Sequence, residues 1–345
     1  MRYSGTGDGG ETGIMGTVGY AASMEQFAPS DLLRYCQQAE DQGFTAVMAS
    51  DHFNPWVPSQ GESGFVWSFM GALGALTNLR FGPGVTPPGY RYHPAIIAQA
   101  AATLEEMYPG RFYLGLGAGE ALNEHIVAEY WPEAPIRLER LMESIEIIGK
   151  LFTGKKVKHR GTHFTLESAR LWTMPATPPS IYVATSGPIM AYRTGKFTDG
   201  IITVGAADEK LKMLVERFET GAREAGKDPA TMPKMLQVKV SYAPTVEEAT
   251  ERAVKDWPNG GMAFPKGDIR EPEDFEAMSK LVRPENYKNR VLISPDPDEH
   301  VAYLQHFIDL GFGEIYVHNV GRDQEPFLKV YGEQVIPKLR WPDEG

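Results

Sequence analysis

Strand-like and helix-like segments alternate along most of this 345-residue chain. Apolar runs typical of β-strands occur at residues 17–20, 44–50, 79–85, 112–116, 181–185, 200–204, 236–242 and 314–318. Segments with helical apolar periodicity separate most of these runs. Such alternation favours parallel βα units, and eight units predict an α/β fold of the (β/α)8 TIM-barrel type. A doubly wound open sheet is the competing architecture.

Two less regular stretches, near 156–180 and 258–290, are predicted to be insertions. Because barrels build their sites from loops at the carboxyl ends of the strands, we expect these insertions at the C-terminal mouth. The glycine-rich residues 1–15 are predicted to be a flexible leader, and residues 16–345 a single barrel domain.

The composition excludes several classes of partner. With 42% hydrophobic and 23% charged residues, it is that of an ordinary globular protein. A net charge of -11 argues against nucleic acid or an anionic membrane as a partner.

The single cysteine, Cys36, allows no intrachain disulfide and is predicted to be a buried residue that only fills space in the core. No apolar stretch is long enough to span a bilayer and no signal-peptide core is present, so we expect a cytoplasmic protein.

Asp51 and His52 directly follow the second predicted strand, and Trp56 follows them after a proline. An isolated histidine at a strand end often only caps or packs there. Here its position at the carboxyl end of a strand favours a catalytic role, since an imidazole can take the proton of an alcohol.

A glycine-rich run, GLGAGE, closes the fourth predicted strand at residues 115–120. Its spacing does not match the dinucleotide fingerprint, and it does not follow the first strand. Its glycines instead allow a planar ligand or a phosphate to approach the backbone closely. Glu120 and Asn123 project from this segment, although Glu120 can also be explained as a charge at a helix N-terminus. If the strands share one sheet, we expect His52, Trp56 and Glu120 to face a common mouth.

Other turns give weaker signals. The segment 82–89 is dense in Gly and Pro, which indicates an unusual backbone. Ser186 and Gly187 precede a predicted helix whose N-terminal N–H groups are suited to a phosphate. His159 and His163 lie in a β-like stretch, and no zinc, calcium or P-loop motif occurs, so no metal site is predicted.

Four longer runs are more specific: VGYAASMEQF at 18–27, SDHFNPW at 50–56, YRYHPAIIAQ at 90–99 and GAGEALNE at 117–124. They resemble the coenzyme F420-dependent glucose-6-phosphate dehydrogenase group, which belongs to the luciferase-like monooxygenase superfamily. The resemblance extends over nearly the whole chain from residue 16. It implies a homodimeric luciferase-like barrel that binds the deazaflavin F420 at the C-terminal mouth.

The resemblance also implies roles for individual residues. The catalytic histidine of the group falls on His52, its tryptophan on Trp56, its acidic residue on Glu120 and a second glutamate on Glu25. A cis peptide behind the cofactor ring falls between Gly84 and Val85. Further residues at positions expected to bind the cofactor are Asp51, Gly84, Val85, Ala118, Gly119, Asn123, Ser186 and Gly187. Gly84 stands where the group has Ser, and Ala118 where it has Thr.

The phosphate site of the group is only partly matched. Two of its three cations fall on Lys266 and Arg290, whereas the third falls on Ala207. Lys210, one helical turn further along, is expected to substitute for it. The implied substrate is glucose 6-phosphate or a related sugar phosphate such as fructose or mannose 6-phosphate.

The predicted function is therefore hydride transfer from C1 of a hexose 6-phosphate to F420. The altered position Ala207 leaves an F420-dependent secondary alcohol or hydroxylipid dehydrogenase as an alternative. An FMN-dependent monooxygenase and a non-catalytic deazaflavin-binding protein are the remaining alternatives.

Overall fold

A computed structural model describes residues 16–342, so the leader predicted for residues 1–15 lies outside the described part of the chain. The strands are β1 (Thr17–Ala22), β2 (Ala46–Ala49), β3 (Arg80–Pro83), β4 (Tyr113–Leu116), β5 (Val157–Arg160), β6 (Thr165–Ala169), β7 (Ser180–Ala184), β8 (Gly200–Val204), β9 (Lys234–Ser241), β10 (Leu292–Ile293) and β11 (Glu314–Asn319).

Eight parallel strands form a barrel in the order β3-β2-β1-β11-β9-β8-β7-β4. Single parallel bridges from Phe81 to Phe112 and from Thr86 to Leu116 join β3 to β4 and close it. The prediction of a TIM barrel is confirmed, and the alternative of an open doubly wound sheet is wrong. All carboxyl ends of the barrel strands therefore meet at one mouth.

The helices are α1 (Pro29–Asp41), α2 (Val66–Leu76), α3 (Pro94–Met107), α4 (Ala121–Glu124), α5 (Ala134–Leu151), α6 (Pro188–Phe197), α7 (Asp208–Glu224), α8 (Val246–Asp256), α9 (Pro272–Ser279), α10 (Pro297–Asp309) and α11 (Gln324–Val330). Several begin with proline in the first turn, where its missing N–H costs nothing. Helix α11 ends at Val330. After Val330 the chain continues as a π turn and a 3-10 turn, because Pro337 cannot donate the next helical hydrogen bond.

The two irregular stretches lie in different places. Residues 157–169 form the antiparallel hairpin β5–β6, which is packed along α5 by an ion pair between His159 and Glu143. Residues 258–290 contain α9 and two 3-10 turns. Only this second stretch contributes side chains to the cavity described below.

The floor of the barrel is filled. The inward side chains of Tyr113, Tyr182 and Tyr316 form one buried cluster, and Arg80 beneath them donates to Glu314 Oε2 at 2.6 Å and to Tyr182 OH at 2.8 Å. Space for a ligand is thus left only toward the mouth. Within residues 16–342, no helix combines the length and apolar character that crossing a membrane requires.

Candidate active site

A cavity of about 620 Å³ opens at the carboxyl ends of the strands, and every barrel strand or its following loop contributes to its lining. Most of the residues expected from the sequence lie in this lining: Glu25, Asp51, His52, Trp56, Gly84, Val85, Ala118, Gly119, Glu120, Asn123, Ser186, Lys266 and Arg290. Two do not. Gly187 lies beside Ser186 as the N-cap of α6, and Lys210 is exposed on α7.

His52 lies between two carboxylates. Its Nδ1 is 3.3 Å from Glu25 Oε1, and its Nε2 is 4.0 Å from Glu120 Oε2. Glu25 is almost fully buried, whereas Glu120 faces the cavity. The imidazole therefore has one nitrogen directed at a fixed anion and the other at the open part of the site, as a general base requires.

Glu25 is fixed by two hydroxyl groups. Ser50 Oγ donates to Glu25 Oε2 at 2.6 Å and Ser23 Oγ donates to the same oxygen at 2.9 Å. The Ser50 hydroxyl also accepts the backbone N–H of Met24 at 3.0 Å, which ties the loop after β1 to the end of β2. Oε1 is left directed at His52.

Two buried polar atoms in the site, His52 Nδ1 and Glu120 Oε2, have no hydrogen bond within the described residues. Burial raises the pKa of Glu120, and the nearby His52 lowers it. Buried polar atoms are almost always satisfied in a folded protein. At Glu120, which faces the cavity, the missing partner is best supplied by a ligand.

Trp56 packs against the His52 ring. Its ring centroid is 5.1 Å from that of His52 and 5.3 Å from that of Phe275 of α9, which meets it edge-on. The Trp56 backbone N–H donates to Gln60 Oε1 at 2.9 Å. The indole is thus held rigidly beside the imidazole and lines the cavity.

Asp51 is held in a buried ionic network. Arg91 Nη1 lies 3.2 Å from Asp51 Oδ1, and Arg91 Nε lies 2.9 Å from Glu124 Oε1. The hydroxyls of Thr86 and Tyr92 also donate to the Asp51 carboxylate, at 2.6 and 3.1 Å. Both carboxylate oxygens are therefore engaged, and the network fixes the residue next to His52.

Asn123 joins the loop after β2, which carries His52, to the segment that carries Glu120. Its Oδ1 accepts the backbone N–H groups of Phe53 and Asn54, at 2.9 and 3.2 Å. Asn54 Nδ2 in turn donates to Leu122 O at 2.7 Å. The loop that carries His52 is thereby attached to α4, which begins directly after Glu120.

The opposite wall is smooth and largely backbone. The peptide between Gly84 and Val85 is cis, which confirms the expectation for this position. Gly117 follows β4 with its Cα beside Val85, where an added Cβ would lie 2.4 Å from Val85 Cγ2. Gly119 has φ +80, a conformation that favours glycine. This wall is suited to the face of a planar ring.

Three cations line the cavity: Lys239, Lys266 and Arg290. Lys266 Nζ donates to Asn259 O at 2.5 Å and lies 5.9 Å from the centroid of the Trp56 ring. Burial lowers its pKa to about 8, and the neighbouring Lys239 acts in the same direction. Arg290 is exposed at the rim. This arrangement is suited to an anionic group on the bound molecule.

The sequence analysis did not identify Gln237, Lys239 or His318, all of which line the cavity. The signal was present, since polar residues at alternate positions of an otherwise apolar β9 must share its inward face. Burial lowers the pKa of His318 to about 3, and its Nε2 lies 3.0 Å from Gln26 Oε1. His318 is therefore a neutral structural histidine.

Comparison with known proteins gives a consistent result. A family model described as luciferase-like monooxygenase matches residues 11–314. An F420-dependent glucose-6-phosphate dehydrogenase of Microbacterium testaceum is 39% identical over 325 residues, which cover 93% of this chain and 97% of that protein. One of Nakamurella multipartita is 37% identical over 331 residues, covering 93% and 96%.

Among solved structures, an F420-dependent secondary alcohol dehydrogenase in complex with an F420–acetone adduct superposes with a TM-score of 0.89. It is 34% identical in sequence, and the match covers 94% of this chain and 99% of that one.

In the part of this chain that the structure describes, no group of three or more His, Cys, Asp or Glu side chains is arranged to hold a metal ion.

Proposed function

The chain belongs to the luciferase-like monooxygenase family, and we propose that it is an F420-dependent dehydrogenase of a hexose 6-phosphate. The observation that carries the proposal is the placement of His52 between Glu25 and Glu120 on one cavity that three cations also line. Relatives 36–39% identical over most of their length bear the name F420-dependent glucose-6-phosphate dehydrogenase.

The residues present fit the cofactor. The wall formed by Gly84, Val85 and Gly117 offers a flat, mostly apolar surface to a deazaflavin ring, and Glu120 Oε2 offers a buried polar atom that needs a partner. Ser186, at the N-terminus of α6, is placed for the negatively charged tail. When bound, F420 accepts the hydride that leaves the sugar.

Proton movements fall to the protein. As the C1–H bond breaks, His52 takes the proton of the C1 hydroxyl, which yields a 6-phosphogluconolactone-type product. Glu25 orients the imidazole and stabilises its positive charge. Trp56 steadies cationic character at C1 through its ring face. Glu120, whose pKa is raised by burial, is suited to deliver a proton to the reduced cofactor.

The anionic end of the substrate is assigned to Lys266 and Arg290. A phosphate monoester carries close to two negative charges at neutral pH, so two cations at one end of the cavity favour a phosphorylated sugar. Lys210 is assigned a supporting role only if α7 moves, because it does not line the cavity in this structure.

The proposal also covers the setting of the enzyme. Residues 16–345 act as one luciferase-like domain, and the protein works as a homodimer in the cytoplasm. The resemblance to the F420-dependent group supports the dimer. Sedimentation equilibrium of the purified protein tests the dimer, and a single species of monomer mass would contradict it.

An F420-dependent secondary alcohol dehydrogenase is the second candidate. The likeness to the enzyme solved with an F420–acetone adduct favours it, as does Ala207 at a position where the resemblance leads us to expect a cation.

One experiment separates these functions. The absorbance of oxidised F420 is followed with purified protein and glucose, fructose or mannose 6-phosphate, 2-propanol, or no substrate. Loss of absorbance with a hexose 6-phosphate supports the proposal, and loss with 2-propanol alone supports the second candidate. Binding of F420 with no turnover of any substrate would contradict both, as would recovery of the protein with bound FMN.

A further inference from the structure

Strand β9 has two chemically distinct faces. Leu236, Val238 and Val240 belong to the main apolar core. Met235 belongs to the cluster on the barrel floor. Gln237 and Lys239, the next two inward positions, line the cavity instead. The inward face of this strand thus changes from apolar to amide to cation toward the mouth.

The polar atoms of this pair face the cavity. Within residues 16–342, neither the Gln237 amide nor the Lys239 ammonium makes a hydrogen bond or ion pair with another side chain or with the backbone, and neither is sealed from the cavity. By contrast, the Lys266 ammonium already donates to Asn259 O. Gln237 and Lys239 therefore present donors that a bound molecule can use.

Lys239 lies at the reacting end of the cavity. Its register partner on β11 is His318, which is neutral and engaged with Gln26. Burial lowers the pKa of Lys239, and the nearby carboxylates of Glu120 and Glu25 raise it. The phosphate-binding candidates Lys266 and Arg290 come instead from the excursion at 258–290. Lys239 thus comes from β9 rather than from that excursion, and it lies close both to the carboxylates of Glu120 and Glu25 and to the Lys266 ammonium.

We propose that Gln237 and Lys239 form a subsite for the ring hydroxyl groups of a sugar, and that this pair selects polyhydroxylated substrates over simple secondary alcohols. The proposal rests on the proposed dehydrogenase function. A small alcohol would leave these donors without a partner on the bound molecule, which disfavours its binding, whereas sugar hydroxyls accept their hydrogen bonds.

The test compares the wild type with Lys239→Met on glucose 6-phosphate and on its 2-, 3- and 4-deoxy analogues. We expect Lys239→Met to lower kcat/KM for glucose 6-phosphate by about 10- to 100-fold, as for loss of a charge-assisted hydrogen bond. The wild type should lose a similar factor on the analogue that lacks the contacted hydroxyl. On that analogue, kcat/KM should be the same for the variant and for the wild type. Gln237→Leu should show the same pattern with a smaller loss.

Lys266→Met is the matched control. It should also lose activity on glucose 6-phosphate, but by the same factor for every deoxy analogue. A binding measurement without cofactor, the quenching of tryptophan fluorescence by glucose 6-phosphate, should show the same losses of affinity. Unchanged F420 affinity of each variant reports that the barrel is intact.

Three outcomes would be decisive. If Lys239→Met loses the same factor on glucose 6-phosphate and on every deoxy analogue, Lys239 acts on the phosphate, as Lys266 does, or through Glu120 and His52, and the subsite is overturned. If the wild type oxidises no sugar phosphate at all, the proposed function fails first. Equal rates of the variant and wild type on glucose 6-phosphate would also overturn the subsite.

Discussion

His52 Nδ1 lies 3.3 Å from Glu25 Oε1, and this contact sets the direction in which the base acts. Because Nδ1 faces a buried carboxylate, we expect Nε2, on the side of the cavity, to be the nitrogen that accepts the proton in the proposed reaction. The other Glu25 oxygen is occupied by the hydroxyls of Ser23 and Ser50. The carboxylate is therefore fixed through one oxygen and faces His52 with the other.

Replacing either member of this pair tests the assignment. We expect His52→Ala to lower kcat by about 10²- to 10⁴-fold, the usual contribution of a general base. Glu25→Gln keeps the shape but removes the charge that supports the imidazolium, so kcat should also fall while KM changes little. Stopped-flow absorbance of F420 measures both. Each variant should bind F420 as the wild type does, and undiminished turnover of His52→Ala would contradict the assignment of the base.

Arg91 is predicted to hold the catalytic loop through charge. It bridges Asp51 and Glu124, whose side chains are 1% and 0% exposed. Arg91→Met leaves two buried carboxylates without their cation, which should lower the free energy of unfolding by about 3–5 kcal/mol. Chemical denaturation measures this loss, and kcat should fall with it because Asp51 precedes His52.

The pH dependence of this loss follows from its cause. Burial raises the pKa of Glu124 and Arg91 lowers it, so removing Arg91 raises that pKa further. A folded-state pKa above the unfolded value penalises folding at high pH, and the penalty is relieved as the carboxyl protonates at low pH. The loss should thus be smaller at pH 5 than at pH 8. Arg34→Met, which breaks exposed pairs with Asp31 and Glu325, should cost less than about 1 kcal/mol. Equal costs of the two substitutions would contradict the role assigned to Arg91.

Much of the barrel is predictable from pattern, because its strands are short apolar runs that end in turn residues. The start of helix α3 is also marked in the sequence, because Pro94 lies in its first turn. Helix α2 carries no such signal. Its sequence, VWSFMGALGAL, is apolar on nearly all sides and contains two glycines, so it has neither an amphipathic stripe nor a high helix propensity. Packing between neighbouring elements, rather than a local signal, makes it a helix.

The candidate site likewise contains some residues that the sequence predicts and others that it does not. His52 and Glu120 follow strands directly, so topology alone brings them to the mouth. Arg91 acts through contacts with the distant residues Asp51 and Glu124, and nothing in its local sequence predicts these contacts. Lys239 lies within a strand rather than in a loop, and only the period of two along β9 indicates that it shares the inward face with Gln237.

Gly117 is predicted to keep the ring-binding wall flat. A Cβ at this position would lie 2.4 Å from Val85 Cγ2, so Gly117→Ala must push Val85 toward the cavity. We expect weaker F420 binding with a nearly unchanged free energy of unfolding, measured by fluorescence titration and denaturation. Gly71→Ala on α2 is the control, since nothing lies within 4 Å of an added Cβ there. That variant should be more stable by up to about 1 kcal/mol, without any change in affinity; equal effects on binding would contradict the role of the wall.

Lys266 is predicted to make phosphate binding sensitive to mildly alkaline pH. Burial lowers its pKa to about 8, so its ammonium is charged below pH 8 and neutral above it. The dependence of kcat/KM on pH reports the groups of the free enzyme. We therefore expect kcat/KM for glucose 6-phosphate to fall as the pH rises through 8, and the fall should come from KM. The substrate phosphate, whose second pKa is about 6, does not titrate in this range.

Lys266→Arg separates this cause from other titrations, because a guanidinium stays charged throughout. If Lys266 is responsible, the decline near pH 8 disappears in the arginine variant, even where its kcat/KM at pH 7 is reduced by the changed geometry. Affinity for F420, measured across the same range, should remain level in both proteins. A decline of the same midpoint in wild type and Lys266→Arg would instead assign the titration to another group, and would remove Lys266 from the phosphate site.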